Sequence, residues 1–203
     1  MNKELKGEIK MKTLNEIMAY LECPRKYSFI NLVGVKEDLS KNSLIKKSVI
    51  NAINKYRESK ICVVDFAKLL DENIQTDIEE LYNIVCDLKS EDEVKVVLKT
   101  YDFSKSVYYN IHQVIEKDNK ELKYKVIVLN KHPKVIDVVI PSRTKEQVEE
   151  INNLVKGTQR VIDIVEKENL PFIKRPNNIS CSSCLYNKEC KPICFEREDE
   201  EEN

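Results

Sequence analysis

Four cysteines within fourteen residues, CSSCLYNKECKPIC at 181–194, constrain this chain more than any other stretch. Cys181 and Cys184 are two residues apart, and Cys190 follows after five more, a spacing that lets thiolates converge on one centre. Thiolates are soft ligands favoured by zinc and by iron-sulfur clusters. Three cysteines leave such a centre one ligand short. Cys194 can close a local four-cysteine zinc knuckle, or the fourth thiolate can come from elsewhere, and the residue that stands out is Cys23 in LNEIMAYLECPRKYSF.

That stretch reads as an amphipathic helix. Leu14, Ile17, Met18 and Leu21 recur at helical spacing, Thr13 with Glu16 has the form of a capping box, and Pro24 stops the helix just after the cysteine. No signal peptide and no apolar run of about 18 residues is visible, so a cytoplasmic protein with no membrane contact is expected. In a reducing compartment, seven cysteines argue against a disulfide framework and for metal binding by those that are regularly spaced. Cys62 and Cys86, outside the pattern, are expected in the core.

Elsewhere helical periodicity dominates. SLIKKSVINAINKYR (43–57) sets Ile45, Val49, Ala52, Ile53 and Tyr56 on one face, and TDIEELYNIVCDL repeats the capping-box form at Thr76 and Glu79. EVKVVLKTY (93–101) reads as a strand, SKSVYYNIHQVIEK (104–117) as a helix, and residues 123–130 and 134–141 as a hairpin turning at Lys131, His132 and Pro133. A long helix after Ser142 turns Val148, Ile151, Val155, Ile162 and Val165 inward until LPFIKRP breaks it. Three glycines in 203 residues exclude a glycine-rich phosphate loop. The tail 196–203 is acidic and expected to be disordered. Setting EREDEEE aside leaves 33 basic against 29 acidic residues, a mildly basic body compatible with nucleic acid.

TLNEIMAYLECPRKYSF together with the C-x2-C-x5-C set resembles the iron-sulfur nucleases of the PD-(D/E)XK superfamily, which include CRISPR-associated (Cas-family) exonucleases and AddB-type nuclease domains. The resemblance implies an α/β fold: a helix-rich nuclease-like domain over 1–195 with a reduced central sheet. A [4Fe-4S] cluster on Cys23, Cys181, Cys184 and Cys190 would join the two ends, with 171–195 as the cysteine module. Cys194 is then the alternative fourth ligand, and zinc the alternative metal.

The same resemblance implies an early helix histidine, an aspartate and a Glu-x-Lys or Asp-x-Lys strand. Carboxylates there hold Mg2+ or Mn2+, the metal activates water, and lysine assists the nucleophile. Lys46 and Lys47 stand where the histidine would fall. VVLKTY keeps Lys99 but has Val97 at the carboxylate position. A displaced set of Asp87, Glu93 and Lys95 is the remaining candidate, because Glu93 and Lys95 share a strand face with Val97 and Lys99. His112 and His132 have no acid at catalytic spacing and are expected to be ordinary polar residues.

The expected function is therefore a nucleic-acid-associated iron-sulfur protein with a degenerate catalytic site. It would bind single-stranded DNA, with the lysines of KKSVINAINKYR as contacts and protein partners in recombination or CRISPR adaptation. An active metal-dependent exonuclease using Asp87, Glu93 and Lys95 is the second expectation, and a zinc-knuckle interaction or regulatory module the third.

Overall fold

The computed structural model describes residues 12–33 and 40–172 together with Cys184, Tyr186 and Cys190. It divides into two compact units, one drawn from both ends of the chain (Met1–Asp38 and Asn153–Asn203) and one from its middle (Leu39–Asn152).

The middle unit is a mixed α/β layer. Helices α3 (Lys41–Ser59), α4 (Val63–Ala67) and α5 (Ile78–Asp87) precede strand β1 (Val94–Val97). A 3-10 turn (Phe103–Lys105) and α6 (Val107–Glu116) then lead to the hairpin β2 (Leu122–Val128) and β3 (Lys134–Ile140). The three strands lie in the order β1-β2-β3, with β1 parallel to β2 and β2 antiparallel to β3. A parallel pair requires a crossover, which α6 supplies.

Alternation along the strands separates two cores. Val96 and Ile127 join Ile45, Val49, Ala52 and Ile53 of α3, Phe66 of α4, and Leu81 and Val85 of α5 on one face. Val97, Tyr124, Val126, Val128 and Ile140 meet Phe103 and Tyr109 on the other. The stripes read for α3 and α5 therefore do form the first core, whereas of the stripe read for the helix after Ser142 only Ile162 is buried, Val148, Ile151, Val155 and Val165 being half-buried.

Several local expectations change. β1 is four residues long, and Lys99 lies in a bend beyond it. The N-cap of α5 is Asp77, which accepts from the Glu80 amide at 2.9 Å, in place of Thr76. The Thr76 hydroxyl instead donates to the Asn130 carbonyl, tying the start of α5 to the β2–β3 turn. Cys62 and Cys86 are exposed and not part of the core. Cys62 occupies the N-cap of α4, and Cys86 falls on the outer side of the α5 stripe. Each histidine has an acid partner: His112 Nδ1 is 2.7 Å from Glu116, one turn on, and His132 Nδ1 is 3.1 Å from Glu80.

One buried polar residue locks the second core. Gln113 of α6 is fully buried; its amide donates to the carbonyls of Lys120 (2.8 Å) and Pro141 (3.0 Å), and its Oε1 accepts from Arg143 Nε at 3.0 Å. Arg143 also donates to Ser104 O and Asn110 Oδ1. A buried polar group is tolerated only when its partners are supplied, and here they fix α6 between the 3-10 turn and the end of β3.

In the unit formed by the chain ends, α1 (Leu14–Glu22) opens with the expected capping box, Thr13 and Glu16 each satisfying the other's backbone amide. Pro24 both ends α1 and starts α2 (Pro24–Ser28), because proline at the first helical position needs no amide partner. A π-helical turn (Phe29–Val33) follows. The part of the long helix α7 (Lys145–Lys167) that belongs to this unit, from Asn153 on, sends Glu166 to Lys12 (2.7 and 2.9 Å) and to the buried hydroxyl of Tyr27 (2.5 Å). Burial pushes Tyr27 up to about 12, reinforced by its bond to Glu166. Among the described residues no helix is long and apolar enough to cross a membrane.

Candidate nucleic-acid interface

Cys23 sits at the junction of α1 and α2, where its amide donates to Ala19 O at 3.0 Å and its carbonyl accepts from Tyr27 N at 3.1 Å. Phe29, six residues on, stacks on Tyr186 with ring centroids 5.5 Å apart and planes 15° from parallel. Tyr186 lies between Cys184 and Cys190 in sequence, so the stack sets this one ring against the end of the helix that Cys23 begins. Cys23, Cys184 and Cys190 are half-buried. They are not gathered into a metal-holding group, and among the described residues no three Cys, His, Asp or Glu side chains are. Cys181 and Cys194 lie outside the described residues, so the described thiols alone do not fit a four-cysteine cluster.

The carboxylate candidates are not brought together either. Asp87 is exposed at the end of α5, and the charge it presents is felt by Tyr56 of α3, on the aliphatic face of the sheet. Glu93 faces the opposite core: its carboxylate is 3.1 Å from Lys95 Nζ, and its charge acts on Tyr124 and Tyr108. Val97 is buried in that second core, facing Phe103 and Tyr109 and not a cleft. Lys99 is exposed beyond the strand.

The Glu-x-Lys pair instead marks one end of a ladder of rings. Lys95 Nζ lies 4.8 Å above the Tyr124 ring, a cation–π distance. From Tyr124 the contacts run to Tyr109 (5.6 Å), then to Phe103 (5.1 Å) and on to Tyr101 (4.2 Å, stacked). A side branch goes from Tyr109 to Tyr108 and from Tyr108 to His112, ring on ring. Tyr109 and Tyr124 are buried, whereas Tyr101 and Tyr108 are 49% and 37% exposed, so rigidly backed rings reach solvent. The exposed lysines Lys99 and Lys105 flank Tyr101 in sequence.

Burial raises the Tyr109 hydroxyl, helped by its bond to Tyr101, and pushes Tyr124 up to about 12, helped by Glu93. Tyr108 is raised by burial and by Glu116. The exposed rings of Tyr101 and Tyr108 offer stacking surfaces for bases, and Lys99 and Lys105, the latter 3.4 Å from Asp102, lie near Tyr101 in sequence and can supply charge for a backbone.

The ladder lies apart from the lysines of α3 that the sequence suggests as contacts. The available signal was density: Tyr101, Phe103, Tyr108 and Tyr109 place four of the chain's fourteen tyrosines and phenylalanines within nine residues, around Lys105.

Comparison with protein-family models, with curated proteins and with solved structures gives no match for this chain.

Proposed function

We propose that this chain is a nucleic-acid-associated protein that holds single-stranded DNA on the ring ladder of its middle unit, and that its nuclease-like core is a binding scaffold. The observation that carries the reading is the pair of exposed rings, Tyr101 and Tyr108, backed by buried aromatics and accompanied by Lys99 and Lys105. Base stacking on such rings is tolerant of sequence, and lysine contacts to phosphate make binding fall steeply with salt.

Catalysis is not part of the proposal. Metal-dependent cleavage needs converging carboxylates, whereas Asp87 ends α5, Glu93 is paired with Lys95, Val97 is buried, and among the described residues no three Asp, Glu, His or Cys side chains gather. A cluster on Cys23, Cys181, Cys184 and Cys190 is a separate proposal, supported by cysteine spacing alone, and no step of DNA binding depends on it. Cleavage and binding assays on anaerobically purified protein test both. The expected result is salt-sensitive binding of a single-stranded oligonucleotide with no cleavage in Mg2+ or Mn2+. Robust cleavage lost in both Asp87→Ala and Glu93→Ala would overturn it. Iron near four per chain, lost in Cys23→Ala as in Cys184→Ala, is expected for the cluster; zinc retained in Cys23→Ala would refute it.

A further inference from the structure

The aliphatic face of the sheet opens at one edge into a cavity of about 780 Å3, within the size range of small-ligand sites. It lies where the two parallel strands end, since Leu98 follows β1 and Leu129 and Asn130 follow β2, all three lining it. The carboxyl ends of parallel strands are where open α/β sheets place their ligands. Leu98 and Leu129 with Ile45 of α3 form an apolar floor.

The rim carries charge and hydrogen-bonding capacity. Lys41 and Lys131 both line the cavity, and among the described residues neither ammonium is in an ion pair. The side-chain amides of Asn42 and Asn130 make no hydrogen bond there within the described residues. One carboxylate, Asp77, lines the cavity, and it is engaged in capping α5. The walls are held in place: Asp77 N donates to Lys131 O at 2.9 Å, and Thr76 bonds Asn130 O. Two unpaired cations over an apolar floor match a ligand with a dianionic group on a flat, largely apolar body.

We propose that this cavity binds a phosphomonoester of nucleotide size, the phosphate taken by Lys41 and Lys131 and the base lying on Ile45, Leu98 and Leu129. The phosphate can belong to a free mononucleotide or to the 5′ end of a strand. The site is separate from the ring ladder, on the other face of the sheet, so substitution of Lys41 and Lys131 tests it without touching the rings.

The test is thermal shift and calorimetry on the full chain with 5′-AMP, with adenosine, and with one oligonucleotide carrying either a 5′-phosphate or a 5′-hydroxyl. The expected result is that 5′-AMP binds and raises the unfolding temperature while adenosine does not. Lys41→Ala/Lys131→Ala, both on exposed side chains, should then weaken 5′-AMP by about tenfold or more, as loss of charge-assisted hydrogen bonds implies. Preference for the 5′-phosphorylated oligonucleotide with no 5′-AMP binding would support the same chemistry and assign it to a strand end. Equal behaviour of 5′-AMP and adenosine with no preference between the two oligonucleotides, or a double variant that binds as the parent does, would overturn the proposal.

Discussion

The two faces of the three-stranded sheet share strands but not chemistry. Beneath α3, α4 and α5, the face carrying Val96, Ile127 and Leu129 is mostly aliphatic, and its rings, Phe66, Tyr82 and Tyr56, all come from the helices and pack on one another. Beneath α6, the face carrying Val97, Tyr124 and Val126 meets a run of rings that continues outward to Tyr101 and Tyr108. Alternation in a strand sends neighbouring residues to different layers, so Val96 and Val97, adjacent in sequence, belong to different parts of the molecule. The first face holds the fold together; the second both packs and presents a surface. The difference shows why a strand that looks catalytic in sequence need not be: the residue in the carboxylate position is part of an aromatic layer.

Changes that place charge in the second layer should have the largest effect. Val97→Glu puts an unpaired acid among Phe103, Tyr109 and Tyr124, and should cost about 3 to 5 kcal/mol in denaturant unfolding without producing cleavage. An unfolding midpoint unchanged from the parent would mean that Val97 faces solvent and that the two-layer account is wrong.

Next in size is the buried polar lock. Gln113→Leu leaves the Lys120 and Pro141 carbonyls and Arg143 Nε without their partner, and should cost about 2 to 3 kcal/mol. It should also weaken DNA binding, because α6 carries Tyr108 and Tyr109. Loss of stability with binding intact would separate the ladder from its support.

Smallest is Tyr124→Phe. Among the described residues the Tyr124 hydroxyl is buried without a hydrogen-bond partner, so its removal should change stability by less than about 1 kcal/mol, in either direction. The effect should be seen in alkali. With its pKa raised from 10.0 to about 12, the neutral hydroxyl's contribution is fully present below pH 10 and is lost as pH rises towards 12. Tyr124→Phe should flatten unfolding over that window; an identical alkaline profile in the two proteins would remove the hydroxyl from the account.

What could be read from the sequence followed from periodicity. The stripe Ile45, Val49, Ala52, Ile53 and the hairpin around His132 needed only local pattern, and both are where expected. The chemistry was less legible because it depends on pairings that no spacing encodes. Glu93 and Lys95 form an ion pair, as their shared strand face implies, but the partner that gives the pair its setting is Tyr124, twenty-nine residues after Lys95. The helix cap at Asp77 was missed by one residue because two capping residues stand in tandem, and the tertiary bond from Thr76 to Asn130 decides between them. Cys62 and Cys86 were placed in the core by residue type, and helix register turns Cys86 outward.

The central claim is that exposed rings, and not carboxylates, are the working groups of this sheet. Its most direct test is a fluorescence anisotropy titration of a single-stranded oligonucleotide at low salt, comparing the parent with Tyr101→Ala/Tyr108→Ala. The account predicts a loss of about 1 to 3 kcal/mol of binding free energy per ring, with the salt dependence retained through Lys99 and Lys105. Equal affinity of parent and double variant, or no binding by the parent at low salt, would contradict it.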